Sequence, residues 1–438
     1  MDYGDEADLA VLTGPDAGEL LGSAVDAMGG ELLDWSTVQV DHRPGRGTAA
    51  SYRARVRWPT GERTQTLGAR QSARPLPDLD RRDVVRVSDG CRQVQVWSFP
   101  ADPALPALSS MFDERWVAEL LRSVGLPAAP ATVKVIGYRP CRRAVLEITT
   151  PGSRLFVKAL RPAVVEQVHQ RHVLMRAAGL PTPRSLGWSD EGLLVLEPLP
   201  GAGLREAVRR HGAGSCSPDD LLNLLDRLPA ELAELPRRPA WSESVDHYAE
   251  VLSAAAPGVG DQAHGVAVKV MAAMDSSPDD GPVHGDFYEA QLLVSGGRIT
   301  GLLDADTAGP GRRVDDLACL VAHLSVLMTM ALSTSAGVRA ALTNWVDRFD
   351  RAVDPCQLRV RAAGVTLSLA TGPYRTQESG WRRSVTDRIE LAAQWLAAAR
   401  TGGLPDLERP LTGASRPSNH RRRDWITASS PSVRKEDS

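Results

Sequence analysis

The chain has 438 residues, a length typical of two or three domains. Its net charge of −3 gives no indication of nucleic-acid binding, and its 42% share of hydrophobic residues is ordinary for a globular protein. The five cysteines are scattered and odd in number, which argues against a disulfide framework and against a zinc site. These properties predict a protein of a reducing compartment.

The N-terminal sequence MDYGDEADLA is acidic and lacks the charged and apolar segments of a signal peptide. The longest apolar stretch, residues 317–332, contains His323, Ser325 and Thr329, which indicates a buried helix rather than a membrane span. We therefore expect a cytoplasmic protein that binds neither nucleic acid nor a membrane.

The first 110 residues consist mainly of short segments typical of β-strands. Residues 51–58 and 63–69 flank a Pro-Thr-Gly turn, and residues 84–87 and 93–99 flank an Asp-Gly turn. Two hairpins are therefore predicted, and we interpret residues 1–110 as a β-rich N-terminal cap.

Residues 111–198 combine helical and strand-like patterns. A helix is predicted over 113–124, where Gly125 and Pro127 stop it, and a second over 162–178, which begins with Pro162. Strands are predicted at 132–138, 143–149, 154–160, 186–187 and 193–196. The segment therefore predicts an antiparallel sheet with one inserted helix.

Residues 199–412 are predominantly helical in pattern. Helices are predicted over 204–210, 218–234, 245–255, 262–274, 315–332, 338–353, 355–370 and 385–400. Residues 413–438 are polar and basic, and their composition predicts a disordered tail.

The chain contains a possible internal repeat. The stretch VQVDHRPGRG at 38–47 is similar to VKVIGYRPCRR at 133–143, and a hairpin follows each. The first copy has Leu67 where the second has Lys158. Either the cap is a degenerate copy of the second sheet, or the two hairpins are unrelated and share only their composition.

Three oxygen-bearing side chains have a spacing that brings them together. Gln291 follows Asp286 by five residues, Asp304 follows it by eighteen, and a strand, a Gly-Gly turn and a second strand lie between Gln291 and Asp304. A hairpin returns the chain, so the three side chains are predicted to converge. Carboxylate and amide oxygens suit Mg²⁺, and a carboxylate off the metal can accept a proton from a hydroxyl. This set suits phosphoryl transfer from a nucleotide to an alcohol.

The motif His284-Gly285-Asp286, with its amide at +5 and Asp at +18, resembles the aminoglycoside phosphotransferase and choline kinase superfamily. Two further motifs strengthen the resemblance, namely Val-Asp-Asp-Leu-Ala at 314–318 and Leu-Phe-Val-Lys, which ends at Lys158. The resemblance implies an α+β, two-lobed protein-kinase-like fold with an antiparallel N-lobe (111–198) and a helical C-lobe (199–412), preceded here by the cap.

The resemblance also implies roles for residues of the catalytic loop. Asp286 is the expected catalytic base, and Gln291 and Asp304 are the expected ligands of Mg²⁺. His284 and Asp316 are expected to support the loop through hydrogen bonds.

On the nucleotide side, the resemblance implies that Lys158 binds the phosphates of ATP (or GTP). Glu166 is the expected partner of Lys158, with the region of His169 as the alternative. The backbone near Glu197 and Leu199 is expected to bind adenine.

The sequence also departs from the family pattern. No glycine-rich loop separates the first two strands of the N-lobe, where Arg142 and Arg143 either reach phosphate or form a solvated turn. Glu289 and Asp306 either contact the substrate or face solvent. Gln291 replaces the usual asparagine, which, together with the cap, resembles the maltokinase-like branch.

The leading hypothesis is an ATP-dependent small-molecule kinase that phosphorylates a hydroxyl of a sugar, an aminoglycoside-like compound or another small metabolite. The alternative is a nucleotide-binding regulatory protein that has lost catalysis.

Overall fold

The computed structural model describes residues 3–72, 76, 83–88, 93–330 and 335–406. Two five-stranded antiparallel sheets follow one another along the chain, and a mainly helical region completes the fold. The predicted α+β architecture, with an antiparallel N-lobe, a helical C-lobe and extra N-terminal strands, is confirmed.

The N-terminal region packs two helices against the first sheet, which has the strand order β1-β2-β3-β5-β4. The elements are α1 (Tyr3–Thr13), α2 (Ala17–Ala27), β1 (Glu31–Arg43), β2 (Gly47–Trp58), β3 (Gly61–Ser72), β4 (Val84–Ser88) and β5 (Gln93–Ser98). In β2, buried Ala54 and Val56 alternate with exposed Arg55 and Arg57, the pattern of a sheet that covers a core on one face. The prediction missed both helices and β1.

The second sheet has the corresponding strand order, β6-β7-β8-β10-β9. A 3₁₀ helix (Pro106–Phe112) leads to α3 (Glu114–Ser123), β6 (Thr132–Arg139), β7 (Arg143–Thr150), β8 (Ser153–Leu160), α4 (Pro162–Ala177), β9 (Ser185–Trp188) and β10 (Leu193–Leu196). Asp113 caps α3 by accepting hydrogen bonds from the backbone N–H groups of Arg115 and Trp116. The shared order of the two sheets favours the internal repeat over two unrelated hairpins.

The C-terminal region surrounds a small hairpin with helices. Its elements are β11 (Ala202–Gly203), α5 (Leu204–His211), α6 (Pro218–Asp226), α7 (Val245–Ala255), α8 (Gly260–Ala273), β12 (Gly281–Val283), β13 (Leu292–Ser295), β14 (Arg298–Leu302), β15 (Gly309–Gly311), α9 (Arg313–Met330), α10 (Ser335–Phe349), α11 (Pro355–Ala370), α12 (Gly372–Arg375) and α13 (Trp381–Thr401). The single helix predicted over 218–234 is wrong. Pro229 lacks an N–H donor and disfavours a helical Leu228, so α6 ends at Asp226 and a short 3₁₀ turn follows.

Helix α9 lies in the core of this region, and most of its residues from Val314 to Met328 are buried. A helix that is buried on nearly all sides has few positions that favour polar residues, in agreement with its largely apolar sequence. No helix within the described ranges is long and apolar enough to cross a membrane. The predicted disordered tail, residues 413–438, lies outside the described residues.

Candidate active site

The loop between β12 and β13 begins with His284 and is tied to the start of α9. The carboxylate of Asp316 accepts hydrogen bonds from the backbone N–H groups of His284, at 2.7 Å, and Gly285, at 2.8 Å. Gly285 has a φ of 79°, and a Cβ at this position would lie 2.8 Å from the carbonyl oxygen of Thr307. Only glycine fits this turn without strain, and the two hydrogen bonds to Asp316 hold the backbone before Asp286 in this conformation.

The side chain of His284 is also part of this support. The Nε2 atom of His284 lies 3.0 Å from the carbonyl oxygen of Leu303. The hydroxyl of Thr307 donates a hydrogen bond to the carbonyl oxygen of His284. Burial lowers the pKa of His284 to about 4, so the ring is neutral at pH 7 and donates from Nε2 to Leu303. The ring therefore connects the loop to the end of β14.

Strands β13 and β14 form the predicted hairpin, and its two-residue turn is Gly296-Gly297 with φ values of 58° and 77°. The hairpin returns the chain so that Asp304 follows β14 beside the loop. The Nε2 atom of Gln291 lies 3.4 Å from Oδ2 of both Asp286 and Asp304. The three side chains that the spacing predicted to converge are therefore adjacent.

Two cations of the second sheet contact the acids of this loop. The Nζ atom of Lys158, on β8, lies 2.7 Å from both Asp304 Oδ1 and Asp306 Oδ1. The Nη1 atom of Arg143, at the start of β7, lies 3.2 Å from Asp304 Oδ2 and 3.4 Å from Asp306 Oδ2. We call these four residues the lysine–aspartate cluster.

The acids differ in their protonation. Burial, together with the neighbouring Asp304 carboxylate, raises the pKa of Asp286 to about 7. Burial would also raise the pKa of Asp304, but the charges of Lys158 and Arg143 outweigh it and hold this pKa well below its usual range. Asp304 is therefore ionised, whereas Asp286 has the raised basicity that a proton acceptor needs.

The donor set fits a magnesium ion. An ionised Asp304, with Asp306 and the amide of Gln291 beside it, provides only hard oxygen ligands, which Mg²⁺ prefers. The amide can present its oxygen in place of its nitrogen by a half-turn of the side chain. Asp304 also has a left-handed backbone with a φ of 61°, a strained conformation that is concentrated at functional sites.

The structure does not bring Glu166 to Lys158, and that expected pairing is replaced. Glu166 is exposed on α4, because Val165 and Val168 occupy the face of the helix that packs on the sheet. The alternative His169 instead contacts the hydroxyl of Ser185 at 2.8 Å. Lys158 takes its negative partners from Asp304 and Asp306.

The predicted adenine-binding segment follows β10. The backbone N–H of Glu197 donates to the carbonyl oxygen of Arg184 at 3.0 Å, and its carboxylate pairs with the Arg184 guanidinium. This N–H is therefore engaged within the protein, so the remaining candidate contacts for adenine are the Glu197 carbonyl oxygen and the backbone of Leu199.

Several residues of the site were left open or missed by sequence reasoning. Asp306 and Glu289 do not face solvent, since Asp306 pairs with Lys158 and buried Glu289 pairs with Arg205 at 2.8 Å. The Asp-Ala-Asp spacing was the available signal for Asp306. Behind Asp286, potential ligand atoms of Cys319 and His323 lie within 4.8 Å of its carboxylate and of each other.

Three of the solved structures that match this chain are enzymes. Macrolide 2′-phosphotransferase MphH from Brachybacterium faecium is 17% identical, covers 62% of this chain and 97% of its own, and has a TM-score of 0.35. Plasmodium vivax ethanolamine kinase is 11% identical, with 62% and 84% covered and a TM-score of 0.43. A thermostable mutant of aminoglycoside phosphotransferase APH(4)-Ia is 16% identical, with 65% and 98% covered and a TM-score of 0.44.

Among curated protein sequences, none matches this chain significantly. The family model of the phosphotransferase enzyme family (APH), in contrast, matches residues 142–360, half of the chain, which include β7, β8, the loop of Asp286 and the hairpin that follows. The chain therefore belongs to the phosphotransferase enzyme family.

Proposed function

We propose that the protein is an ATP-dependent kinase that transfers the γ-phosphate to a hydroxyl of a small molecule. The observation that supports this most directly is the position of Asp286. Its carboxylate is beside the amide of Gln291 and the acid of Asp304, and it also lines a large cavity, whereas Lys158, Gln291 and Asp304 do not line it. Asp286 thus stands between a phosphate-binding side and a space for an acceptor.

In the proposed reaction, Asp286 orients the acceptor hydroxyl and accepts its proton. The hydroxyl oxygen forms a bond to the γ-phosphorus, the bond from this phosphorus to the β,γ-bridging oxygen breaks, and its electrons leave with ADP. A carboxylate with a pKa of about 7 is a stronger base than an ordinary aspartate, and about half of it is in the base form at neutral pH.

The lysine–aspartate cluster supplies the nucleotide side. Lys158 and Arg143 are positioned to bind phosphate oxygens, since both cations reach the loop from the adjoining sheet. Magnesium held by Gln291 and Asp304 would neutralise phosphate charge. The Glu197 carbonyl oxygen and Leu199 are the proposed adenine contacts, and His284 and Asp316 are the proposed supports of the loop.

The same proposal divides the chain into a cap (1–110), an N-lobe (111–198) and a C-lobe (199–412), and it places the protein in the cytoplasm. A nucleotide-binding regulatory protein without catalysis is the second candidate. One observation favours it: Lys158 pairs with Asp304, a proposed metal ligand, and with Asp306, and not with the expected glutamate of α4.

The decisive experiment compares the wild type with Asp286→Asn and with Asp261→Asn, an exposed aspartate of α8. Calorimetry measures binding of Mg-ATP and Mg-GTP, and ADP or GDP release is followed over a panel of sugars, amino alcohols, hydroxy acids and phosphorylated alcohols. We expect turnover with at least one alcohol in the wild type and in Asp261→Asn. Asp286→Asn should bind nucleotide with similar affinity and turn over at least 100-fold more slowly.

Acceptor-dependent transfer that persists in Asp286→Asn would exclude the assigned base. Nucleotide binding without transfer to any panel member would favour the regulatory protein.

A further inference from the structure

The cavity beside Asp286 is formed by all three parts of the chain. Its volume is about 1030 Å³, which matches the upper range of small-molecule sites. Arg43, at the end of β1, and Arg142, in the turn between β6 and β7, line it, and Tyr288 and Arg375 line it from the C-lobe. Corresponding parts of the two sheets therefore line one cavity together with the proposed base, Asp286.

The lining of this cavity is strongly positive. It contains nine arginines and four carboxylates, a formal excess of five positive charges in a chain whose net charge is −3. A cavity lined by one sign of charge concentrates ligands of the other sign. Polycationic acceptors are disfavoured here, because the positive charges of the lining repel each positive charge of the acceptor.

Three of these arginines share a single carboxylate. Asp41 Oδ2 lies 2.9 Å from Arg139 Nη2 and 3.2 Å from Arg142 Nη1, and Asp41 Oδ1 lies 3.9 Å from Arg43 Nε. One negative charge between three guanidiniums leaves two positive charges without compensation. Arg139 Nε is buried and has no hydrogen-bond partner in the described part of the chain.

Four further arginines of the lining have no carboxylate within 4 Å among the residues that the structure describes, namely Arg46, Arg209, Arg375 and Arg388. Arg209 has a buried Nε without a hydrogen-bond partner, and Arg375 lies near the positive charges of Arg142 and Arg143. Burial lowers the pKa of Arg375, although the charge of Asp41 acts in the opposite direction. Buried donors without partners are costly, and an anionic ligand would satisfy them through charge-assisted hydrogen bonds.

We propose, building on the kinase function above, that the acceptor is an anionic alcohol: a hydroxyl compound that bears a phosphate or a carboxylate group. Its anionic group is bound by Arg139, Arg142 and Arg375, and its hydroxyl faces Asp286. Guanidinium groups suit both kinds of anion, because their paired N–H donors match two oxygens of a carboxylate or a phosphate.

The phosphates of the nucleotide are the competing occupant of this cavity. Lys158, Asp304 and Asp306 do not line it, but Arg143, the fourth member of the lysine–aspartate cluster, does, so the cavity adjoins the proposed phosphate site. To test whether the nucleotide occupies this cavity, the protein is saturated with Mg-ADP before the acceptor is added.

Calorimetry in saturating Mg-ADP then measures the binding of matched compounds: glucose, glucosamine, gluconate and glucose 6-phosphate. A wider set of alcohols, each paired with its phosphorylated and carboxylated forms, follows by thermal shift. The variants are Arg375→Gln, Arg375→Lys and, as a matched control, Arg210→Gln, an exposed arginine of α5. Gluconate and glucose 6-phosphate distinguish a carboxylate site from a phosphate site.

We expect anionic members to bind about ten-fold or more tightly than their neutral parents, and less tightly at high salt. Arg375→Gln should lower this affinity about ten-fold, Arg375→Lys should lower it less, and Arg210→Gln should not change it. Unchanged Mg-ADP binding shows that each variant is folded. The proposal would be overturned if neutral or cationic compounds bound as tightly as the anionic ones. It would also be overturned if Arg375→Gln bound the anionic compounds as tightly as the wild type does.

The two proposals fail in different ways. If neutral or cationic alcohols are phosphorylated in an Asp286-dependent manner and anionic ones are not, the kinase stands and the anionic acceptor is wrong. If anions bind through Arg375 but no compound accepts phosphate, the anion site stands and the kinase function is wrong.

Discussion

The Nζ atom of Lys158 lies 2.7 Å from Oδ1 of Asp304, a residue 146 positions further along the chain. This contact joins strand β8 of the second sheet to the end of the hairpin that follows the loop of Asp286. Lys158 is buried, so the pair lies in a medium of low polarity where an unpaired charge is costly. The contact thus makes the stability of the site depend on the packing of the second sheet against the hairpin.

Replacement of Lys158 by methionine should therefore destabilise the protein. Asp304 and Asp306 would face each other with only Arg143 to neutralise them, and loss of one partner of a buried ion pair costs about 3 kcal/mol. Urea unfolding measures the change, and Lys134→Met, at an exposed position of β6, is the control. A free energy of unfolding equal to that of the control would show that the pair does not form.

The support that Asp316 gives to the loop before Asp286 leads to a second prediction. Asp316→Ala removes the acceptor of two backbone N–H groups in a buried site, and each unsatisfied donor costs about 1–3 kcal/mol. We expect lower stability and increased amide hydrogen exchange at Gly285. Asp316→Asn should restore part of both, since its amide retains one acceptor oxygen. Exchange at Gly285 that equals the wild-type rate in Asp316→Ala would contradict the assignment.

A third prediction concerns acid destabilisation. Burial, with a smaller contribution from Lys158, lowers the pKa of His172 to about 4, and its Nδ1 lies 3.0 Å from the carbonyl oxygen of Pro183. Between pH 6.5 and 4 the unfolded state binds more protons than the folded state at this residue. The stabilisation is therefore complete above pH 6.5 and is lost as the pH falls, by at most about 1.4 kcal/mol per pH unit.

His172→Asn should make the stability less dependent on pH in this range, because asparagine can donate to Pro183 and does not titrate. Thermal unfolding from pH 7 to pH 4.5 measures the effect. His264→Asn, at an exposed position of α8, is the control and should retain the wild-type dependence. Equal slopes in both variants would rule out a neutral, buried His172.

The ion pairs of Arg361 give a fourth prediction. Its guanidinium is 2% exposed and contacts Asp315 at 2.7 Å and Asp275 at 3.0 Å, which ties α11 to the start of α9. Arg361→Met should lower the free energy of unfolding by about 3 kcal/mol. Arg210→Met breaks an exposed pair with Glu206 and should cost no more than about 0.5 kcal/mol. If both variants lost a similar free energy of unfolding, the buried ion pairs of Arg361 would contribute no more to stability than an exposed pair.

The elements that sequence reasoning found are those with strong local signals. Helix α11 begins at Pro355, and the capping side chain of Asp354 precedes it, so its predicted and observed bounds coincide. Strand β1 and helices α1 and α2 lacked such signals. In β1, neighbouring residues are half-buried without a clear alternation, because the strand lies at the edge of its sheet.

Sequence by itself determined the convergence of Asp286, Gln291 and Asp304, because the strands and the Gly-Gly turn between Gln291 and Asp304 are local structure. Only the tertiary structure decided the partner of Lys158. The family resemblance pointed to Glu166, but the packing of α4 on the sheet turns that residue to solvent, and Asp304 and Asp306 take its place. The positive cavity could not be predicted from the sequence either. Its arginines come from distant parts of the chain and meet only when the two sheets and the helical region pack together.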